Sequence, residues 1–560
     1  MGFVSGAPAS VYFVGIKGSG VCALAELLHA DGARIGGSDT PEVFHTDAIL
    51  RRLGIPFHET FDAAHVDGSV ARVVHSAAYD AKNNVELAEA ARRGIPVASY
   101  PQALGEYSAG FDSSGVAGVH GKTTTTAMCG CLVRALGLPA RVLAGSAVPD
   151  FAEDGGPARS TLVAGDRFFI AETCEYRRHF LHFRPRRVVL TSVESDHQDC
   201  FATYEAIRDA FVEYCRLVPP GGELIYCADD PGAAEVAGIV AGEGRGVTLV
   251  PYGFSASGDY RITGYRVEGG TAYFSVGVIE GELALKVPGR HQAQNAAAAL
   301  ALCAALLSGS GGTWSGERRA AVKAALAGFS GSARRSEVLG TACGIVFADD
   351  YGHHPTAIAS TLAGLRDFYP SRRLVVSFMS HTFTRTAALL DGFAAALCAA
   401  DVLFLHKIYA SARENFDGRI DGTALLRKIG ELRGERAAPE LHYRDEPADA
   451  FAPLTEALKP GDLFLTLGAG SNRPLGERLL RHFLAVEAGG AAGNTANPAG
   501  NTANQAGNTA ISPGNTANTA GNTANTAGNT VNPAGNAANP AGNTANTAGN
   551  TGTQNKGGTR

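Results

Sequence analysis

Nine consecutive residues, Gly118-Val119-His120-Gly121-Lys122-Thr123-Thr124-Thr125-Thr126, combine the groups that polyphosphate chemistry needs. A glycine-rich turn that opens a helix with Gly-Lys-Thr aims backbone N–H groups at phosphate, brings a lysine to the β and γ groups and offers a hydroxyl to Mg2+. Gly118, Val119, His120, Gly121, Lys122, Thr123 and Thr124 are therefore the candidate nucleotide-phosphate site. A strict P-loop would carry glycine at 116, where this chain has Val116.

A second glycine cluster, Gly15-Ile16-Lys17-Gly18-Ser19-Gly20, also follows an apolar strand and opens a helix. Gly15, Gly18 and Gly20 would admit a pyrophosphate to the backbone, and Asp39, at the end of the next strand, would accept from a ribose hydroxyl. Lys17 stands where a dinucleotide fingerprint has its second glycine, which argues against NAD; the alternative reading is a tight strand–helix turn with no ligand.

Further acids and histidines fall at strand ends, where parallel sheets collect their ligands. Glu172 ends one strand, and Glu194-Ser195-Asp196-His197 follows another; Glu172 and His197 are candidates to share Mg2+, in addition to the ion at Thr123. Later come Asp349-Asp350-Tyr351-Gly352-His353-His354-Pro355 and Ser380-His381-Thr382-Phe383-Thr384-Arg385-Thr386, two loops that would form one cleft. Adjacent histidines before proline do not easily face one metal, so polar contacts to nucleotide and substrate fit the His353-His354 pair better than zinc.

The elements that position these loops alternate between short apolar runs and helical patterns, the mark of parallel sheets covered by helices. Strands are read at Val11–Gly15, Arg34–Gly36 and Arg72–His75 in a first unit, and at Phe168–Glu172, Val188–Val193 and Glu223–Cys227 in a second, which begins at Gly115 and has a strong helix from Lys122. Between Asp259 and Val287 the period changes to two, predicting antiparallel hairpins with turns at Gly269-Gly270 and Glu280-Gly281. An alanine-rich helix, His291–Leu307, follows. A third unit holds strands at Ile345–Asp349, Leu374–Met379, Asp401–Ile408 and Asp462–Leu467. The fold class is α/β, with three successive α/β domains at 1–112, 113–332 and 333–487 and a low-complexity tail at 488–560.

That tail repeats Ala-Gly-Asn-Thr-Ala-Asn-x from Ala492 to Gln554 and carries no aromatic residue, so it cannot bury a core. No large apolar residue recurs at coiled-coil spacing within it. It contributes Lys556 and Arg560 and no acid, so the −6 of the whole chain becomes −8 for the residues ahead of it. A mildly acidic domain set implies no nucleic-acid partner. The longest wholly apolar run, Ala296–Leu307, is short of the ~18–20 residues of a membrane span, and no basic stretch precedes Val11. The ten cysteines form no Cys-x-x-Cys pair and read as buried reduced thiols. The expectation is a soluble cytoplasmic protein acting on small molecules, with its oligomeric state left open.

Taken in order, these segments resemble the Mur ligase family, ATP-dependent enzymes that form amide bonds in peptidoglycan precursors. The resemblance covers residues 10 to 485 and adds Pro288-Gly289-Arg290-His291-Gln292-Ala293-Gln294-Asn295, similar to the family's adenine-binding helix start, and Phe329–Arg335, similar to the entry to its third domain. Asp349–Pro355 resembles the alanine-adding branch. Thr356-Ala357-Ile358 is somewhat similar to the recycling enzyme that adds a tripeptide to the same sugar nucleotide. A nucleotide-binding protein without activity is the reading outside catalysis.

The resemblance implies a UDP-sugar domain, with Gly15, Gly18, Gly20, Asp39 and Ser76 at its site, a central ATPase domain and an amino-acid domain with Tyr351 and His381. It implies ATP and Mg2+ as cofactors and UDP-N-acetylmuramate and L-alanine as substrates. His291, Asn295, Asp350 and either Arg334 or Arg335 would hold the nucleotide; Thr123, Glu172 and His197 would hold metal. Lys122, His197, His353 and Arg385 are the implied catalytic set, with His353 taking a proton from the alanine ammonium at an imidazole pKa near 6.5. Family members carry Gly, Met, Asn and Arg where this chain has Lys17, Val21, Gln292 and Thr382, so Arg385 is left as the carboxylate clamp. No lysine lies between Lys122 and Lys286, which removes the carbamylated lysine of several relatives.

Overall fold

Val11-Tyr12-Phe13-Val14 is buried at every position, as a strand must be when helices cover both faces of its sheet. The computed structural model describes residues 10–44, 46–153, 155–410, 420–434 and 438–493. In the first sheet β1 (Ser10–Val14), β2 (Arg34–Ser38), β3 (Phe57–His58), β4 (Arg72–His75) and β5 (Val97–Ser99) run parallel in the order β3-β2-β1-β4-β5. The order reverses between β1 and β4, so the loop leaving β1 opens at the switch point, where such sheets bind ligands.

A second sheet is built from β6 (Asp112–Ala117), β7 (Ala140–Val148), β8 (Arg159–Val163), β9 (Phe168–Glu172), β10 (Arg187–Leu190), β11 (Glu223–Cys227) and β12 (Thr248–Tyr252). Its order is β12-β11-β10-β6-β9-β7-β8, parallel except for β8 on β7. β6 therefore lies between β10 and β9, and the three loops leaving these strands converge. The helix Lys122–Ala135 packs along the helix Arg290–Gly309, whose Ala296–Ala299 run gives it a narrow face; Cys303 Sγ meets the Cys129 carbonyl at 3.9 Å.

Hairpins form where the period changed: β13 (Thr263–Glu268), β14 (Thr271–Val276) and β15 (Ile279–Leu285) are antiparallel neighbours. The expected turn at Glu280-Gly281 is corrected. Both residues lie inside β15, and the chain turns at Gly277-Val278, because the register shifts after Phe274 and pairs Val276 with Ile279.

The last sheet comprises β16 (Glu337–Ala342), β17 (Ile345–Asp350), β18 (Arg373–Phe378), β19 (Val402–Leu405), β20 (Glu440–Tyr443) and β21 (Asp462–Leu467), ordered β16-β17-β21-β18-β19-β20 with β16 antiparallel. Separate apolar clusters fill its two faces, whereas one cluster runs through the first and second sheets without a break. Glu26–Arg159 at 2.8 Å and the contacts of Arg141 with Asp31 and Tyr107 tie those two together. The helix Arg473–Gly493 closes the last sheet and runs six residues past the expected end at 487; the rest of the repeat tail lies outside the described residues.

Candidate active site

β6 delivers Gly118 to the carboxyl edge of the second sheet with φ +135, and Gly121 follows at φ +81, where side chains are strained. A Cβ on Gly118 would sit 2.1 Å from Thr191 Oγ1, and one on Gly121 would sit 2.7 Å from Asn295 Oδ1. Val119 N–H donates to the Ser192 carbonyl at 3.0 Å and His120 N–H to Ser192 Oγ at 2.8 Å. The loop is thus pinned against the end of β10, and the unpaired N–H groups of the first helical turn from Lys122 face a cavity of about 520 Å3.

A file of ionisable groups crosses that cavity. Lys122 Nζ lies 3.2 and 3.1 Å from the two oxygens of Glu175; Glu175 Oε1 is 3.4 Å from His197 Nε2, which is 3.8 Å from Asp196 Oδ2. Asp196 Oδ1 accepts from Arg385 Nε at 2.9 Å and Nη2 at 2.8 Å, and Arg385 Nη1 is 3.2 Å from His381 Nδ1. Burial alone would raise both carboxyls, but Lys122 and His197 hold Glu175, and His197 and Arg385 hold Asp196, below the usual carboxylate range. Lys122 is desolvated, yet Glu175 keeps its ammonium above the ordinary value.

Glu172, expected beside His197, instead accepts from Gly145 N–H at 2.7 Å, and Glu175 is the carboxylate next to the imidazole. Both glutamates and Thr123 line the cavity. Three oxygen donors around the phosphate loop suit a hard cation such as Mg2+ better than the single nitrogen of His197 does.

His353 donates from Nδ1 to the Tyr351 carbonyl at 3.0 Å, which leaves the Nε2 lone pair as the acceptor. Its expected pKa near 6.5 is corrected: burial, and then the Arg385 charge, push it well down, so the ring is neutral at physiological pH. Between the alternatives at 334 and 335, Arg334 is taken up by Asp349 at 3.1 Å and the Gly468 carbonyl at 2.8 Å, while Arg335 and Tyr351 line the cavity. Asp350 also reaches it, with its oxygens accepting from Ser336 N–H and Gly352 N–H at 2.6 Å each. His291 is half-buried, and desolvation holds it down to about pKa 4; Asn295 joins Gln292 at 3.1 Å to Thr125 at 3.2 Å.

Gly15, Gly18, Gly20, Asp39 and Ser76 stand apart from this cavity, at the switch point of the first sheet. Gly15 has φ +82, and a Cβ there would lie 2.8 Å from the Cβ of Ser76; one on Gly20 would press the Tyr100 ring. Asp39 accepts from the N–H groups of Lys17 at 2.7 Å and Thr40 at 2.8 Å, so it shapes the glycine loop.

Comparison with known proteins agrees with this layout. The catalytic, middle and glutamate ligase domains of the Mur ligase family match residues 10–112, 116–303 and 334–470. The UDP-N-acetylmuramate--L-alanine ligase of Treponema pallidum (strain Nichols) is 49% identical over 473 residues, which are 84% of this chain and 96% of that protein. The chain belongs to the Mur ligase family. The protein of the same name from Borreliella afzelii is 37% identical over 467 residues, 83% of this chain and 97% of that one. Among solved structures, the UDP-N-acetylmuramate-alanine ligase of Thermotoga maritima superposes with a TM-score of 0.67 at 23% identity, covering 85% of this chain and 99% of that one. The murein peptide ligase of Psychrobacter arcticus gives 0.58 at 23% identity, with the same coverage of both chains. These two likenesses establish the fold of this Mur ligase.

Sequence reasoning missed Glu175 and Ser192. The signal for Glu175 was a second acid three residues beyond Glu172, across from the lone lysine of the loop. In this Mur ligase no described helix is long and apolar enough to cross a membrane, and no disulfide joins the described cysteines; five are buried, four are half-buried, and Cys174 is exposed and lines the cavity, so the expected burial holds for only half of them.

Proposed function

We propose that this Mur ligase joins L-alanine to the lactyl carboxylate of UDP-N-acetylmuramate, converting ATP to ADP, in cytoplasmic peptidoglycan precursor synthesis. The observation that carries the reading is that the phosphate loop and the two loops at His353 and Arg385 open into one cavity. The 49% identity to a ligase of that name over most of both chains supports the substrate pair.

A carboxylate does not exchange oxide for an amine directly. Attack of its oxygen on the γ-phosphorus releases ADP and leaves an acyl phosphate; attack of the alanine nitrogen on the acyl carbon then expels phosphate. The protein supplies position and charge. Lys122 would leave Glu175 for the β and γ phosphates, and His291, Asn295, Arg335 and Asp350 would place the nucleotide. Mg2+, when bound, neutralises charge on the phosphates; Thr123, Glu172 and Glu175 are proposed to hold it, with His197 against Glu175. Arg385 would clamp the alanine carboxylate between Tyr351 and His381, and His353 Nε2 would take the proton that frees the amine. The first domain, around Gly15 and Ser76, would hold the UDP moiety.

The test is ADP release with UDP-N-acetylmuramate and each common amino acid in turn. Alanine should give the fastest release. A tripeptide outrunning alanine, or release that ignores the sugar nucleotide, would refute the reading.

A further inference from the structure

His120, Glu194 and His354 come from three different loops: the phosphate loop, the segment after β10 and the residue that caps the helix Pro355–Phe368. One ligand atom from each lies within 4.8 Å of the other two. His120 Nε2 is in ion-pair contact with Glu194 Oε1, and neither atom has a further hydrogen-bond partner. His354 Nδ1 stands 3.6 Å from the same oxygen while it accepts from Thr356 N–H at 3.4 Å, and the other ring nitrogen, Nε2, has no hydrogen-bond partner although the residue is only 5% exposed. Buried polar atoms left unbonded cost free energy, and a shared cation would satisfy those facing one another at once. The second oxygen of Glu194 is already oriented by Thr356 Oγ1 at 2.8 Å, the kind of outer contact that fixes a metal-binding carboxylate.

We propose that His120, Glu194 and His354 bind a borderline-soft divalent cation, Zn2+ above all, across the cleft between the second and last sheets. Bonds of about 2.0–2.1 Å in a tetrahedron place ligand atoms roughly 3.3 Å apart, so the longest edge of this triangle has to shorten by no more than about 1.5 Å. Two imidazoles and one carboxylate select zinc over magnesium, which prefers oxygen throughout. His120 and Glu194 line the cavity, so the fourth position is open to water or to an oxygen of a bound molecule. The site is distinct from the Lys122–Glu175–His197 group. Only the second of the two adjacent histidines takes part, which removes the geometric objection to zinc at a His-His pair. Because the ligands come from two domains, an occupied site ties the phosphate loop to the helix Pro355–Phe368 and holds the cleft shut, and turnover falls.

Calorimetric titration of the full chain with Zn2+, in excess Mg2+ and without nucleotide, should show one saturable site. Binding should weaken by about tenfold or more in Glu194→Gln and in His354→Gln, and should be kept in Glu175→Gln. Zn2+ should inhibit ADP release over the same concentrations that fill the site. Absence of a saturable site overturns the proposal, as does equal weakening in Glu175→Gln, which would put the ion on the Lys122 cluster. Anomalous scattering at the zinc edge from crystals of the unaltered chain decides the matter if a variant fails to fold: density among the three side chains upholds the site, and density elsewhere or none refutes it.

Discussion

Arg385 holds Asp196 through both Nε and Nη2, 189 residues apart in sequence and across the cleft between two domains. Their side chains are 6% and 3% exposed, so the pair is desolvated and the guanidinium is committed to Asp196. An incoming alanine carboxylate has the same chemistry as Asp196 and must displace it or share the fork. Asp196→Asn is therefore expected to lower the KM for alanine several-fold at saturating ATP. Arg385→Ala should raise it by about a hundredfold, because it also strands a buried carboxylate. Steady-state kinetics with alanine varied checks both signs; a rise in KM in both variants would mean that Asp196 helps bind alanine and does not compete with it.

His353 is expected to act as a neutral base. Because burial and Arg385 lower its pKa, the acid limb of kcat should fall below the ordinary imidazole range near pH 6.5, so activity persists as pH drops through 6. His353→Ala should slow coupling by about 10²–10⁴-fold with the ATP KM little changed. A pH–rate profile settles this: an acid limb at the usual imidazole position, or an undiminished rate in the variant, removes His353 from the role.

Most of the parallel strands were legible because both of their faces are buried and their residues are nearly all apolar; Arg72–His75, Phe168–Glu172 and Asp462–Leu467 end where the sequence placed them. What escaped lies at or next to the edges. β8, β16 and β20 are edge strands and β7 is the strand beside β8; all four are rich in small or polar residues and owe their strand geometry to a neighbour's ladder. At the site, the glycines of the phosphate loop announce their own geometry, whereas the choice between Glu172 and Glu175 depends on how the chain turns after β9. That turn uses Arg177 and Arg178 at positive φ, which no local pattern foretells. Thr382, buried at φ +66 with its N–H on the Tyr409 carbonyl, is equally unannounced.

Lys17 shows how a departure from family pattern is absorbed. Its ammonium is fully enclosed, donating to the carbonyls of Thr40 at 3.0 Å and Glu42 at 2.9 Å and paired with Asp47 at 3.3 Å and Glu59 at 3.2 Å. The lysine turns away from the glycine loop and staples the segment after β2. Lys17→Met is expected to destabilise the chain by about 3–5 kcal/mol, since it leaves the Asp47 carboxylate buried without its main cation, and to raise the KM for the UDP-sugar with the alanine KM unmoved. Urea unfolding and kinetics would both have to change; a loss under about 1 kcal/mol, the worth of an exposed pair, would show that the staple carries little.

Glu175 and Asp196 contribute to the acid stability. Both titrate lower in the folded chain than in the unfolded one, where values are about 4.3 and 3.9. Below those values the unfolded chain binds more protons than the folded one. The stabilisation from Lys122, His197 and Arg385 is thus fully present above about pH 5 and is lost as pH falls through the folded pKa values. Asp196→Asn should flatten the acid limb of stability below pH 4, and Glu175→Gln should do so to a smaller degree, with both variants keeping the wild-type slope above pH 6. Denaturant midpoints measured from pH 2.5 to 7 give the comparison. Parallel curves for wild type and Asp196→Asn would mean that the ion pair with Arg385 does not form in solution.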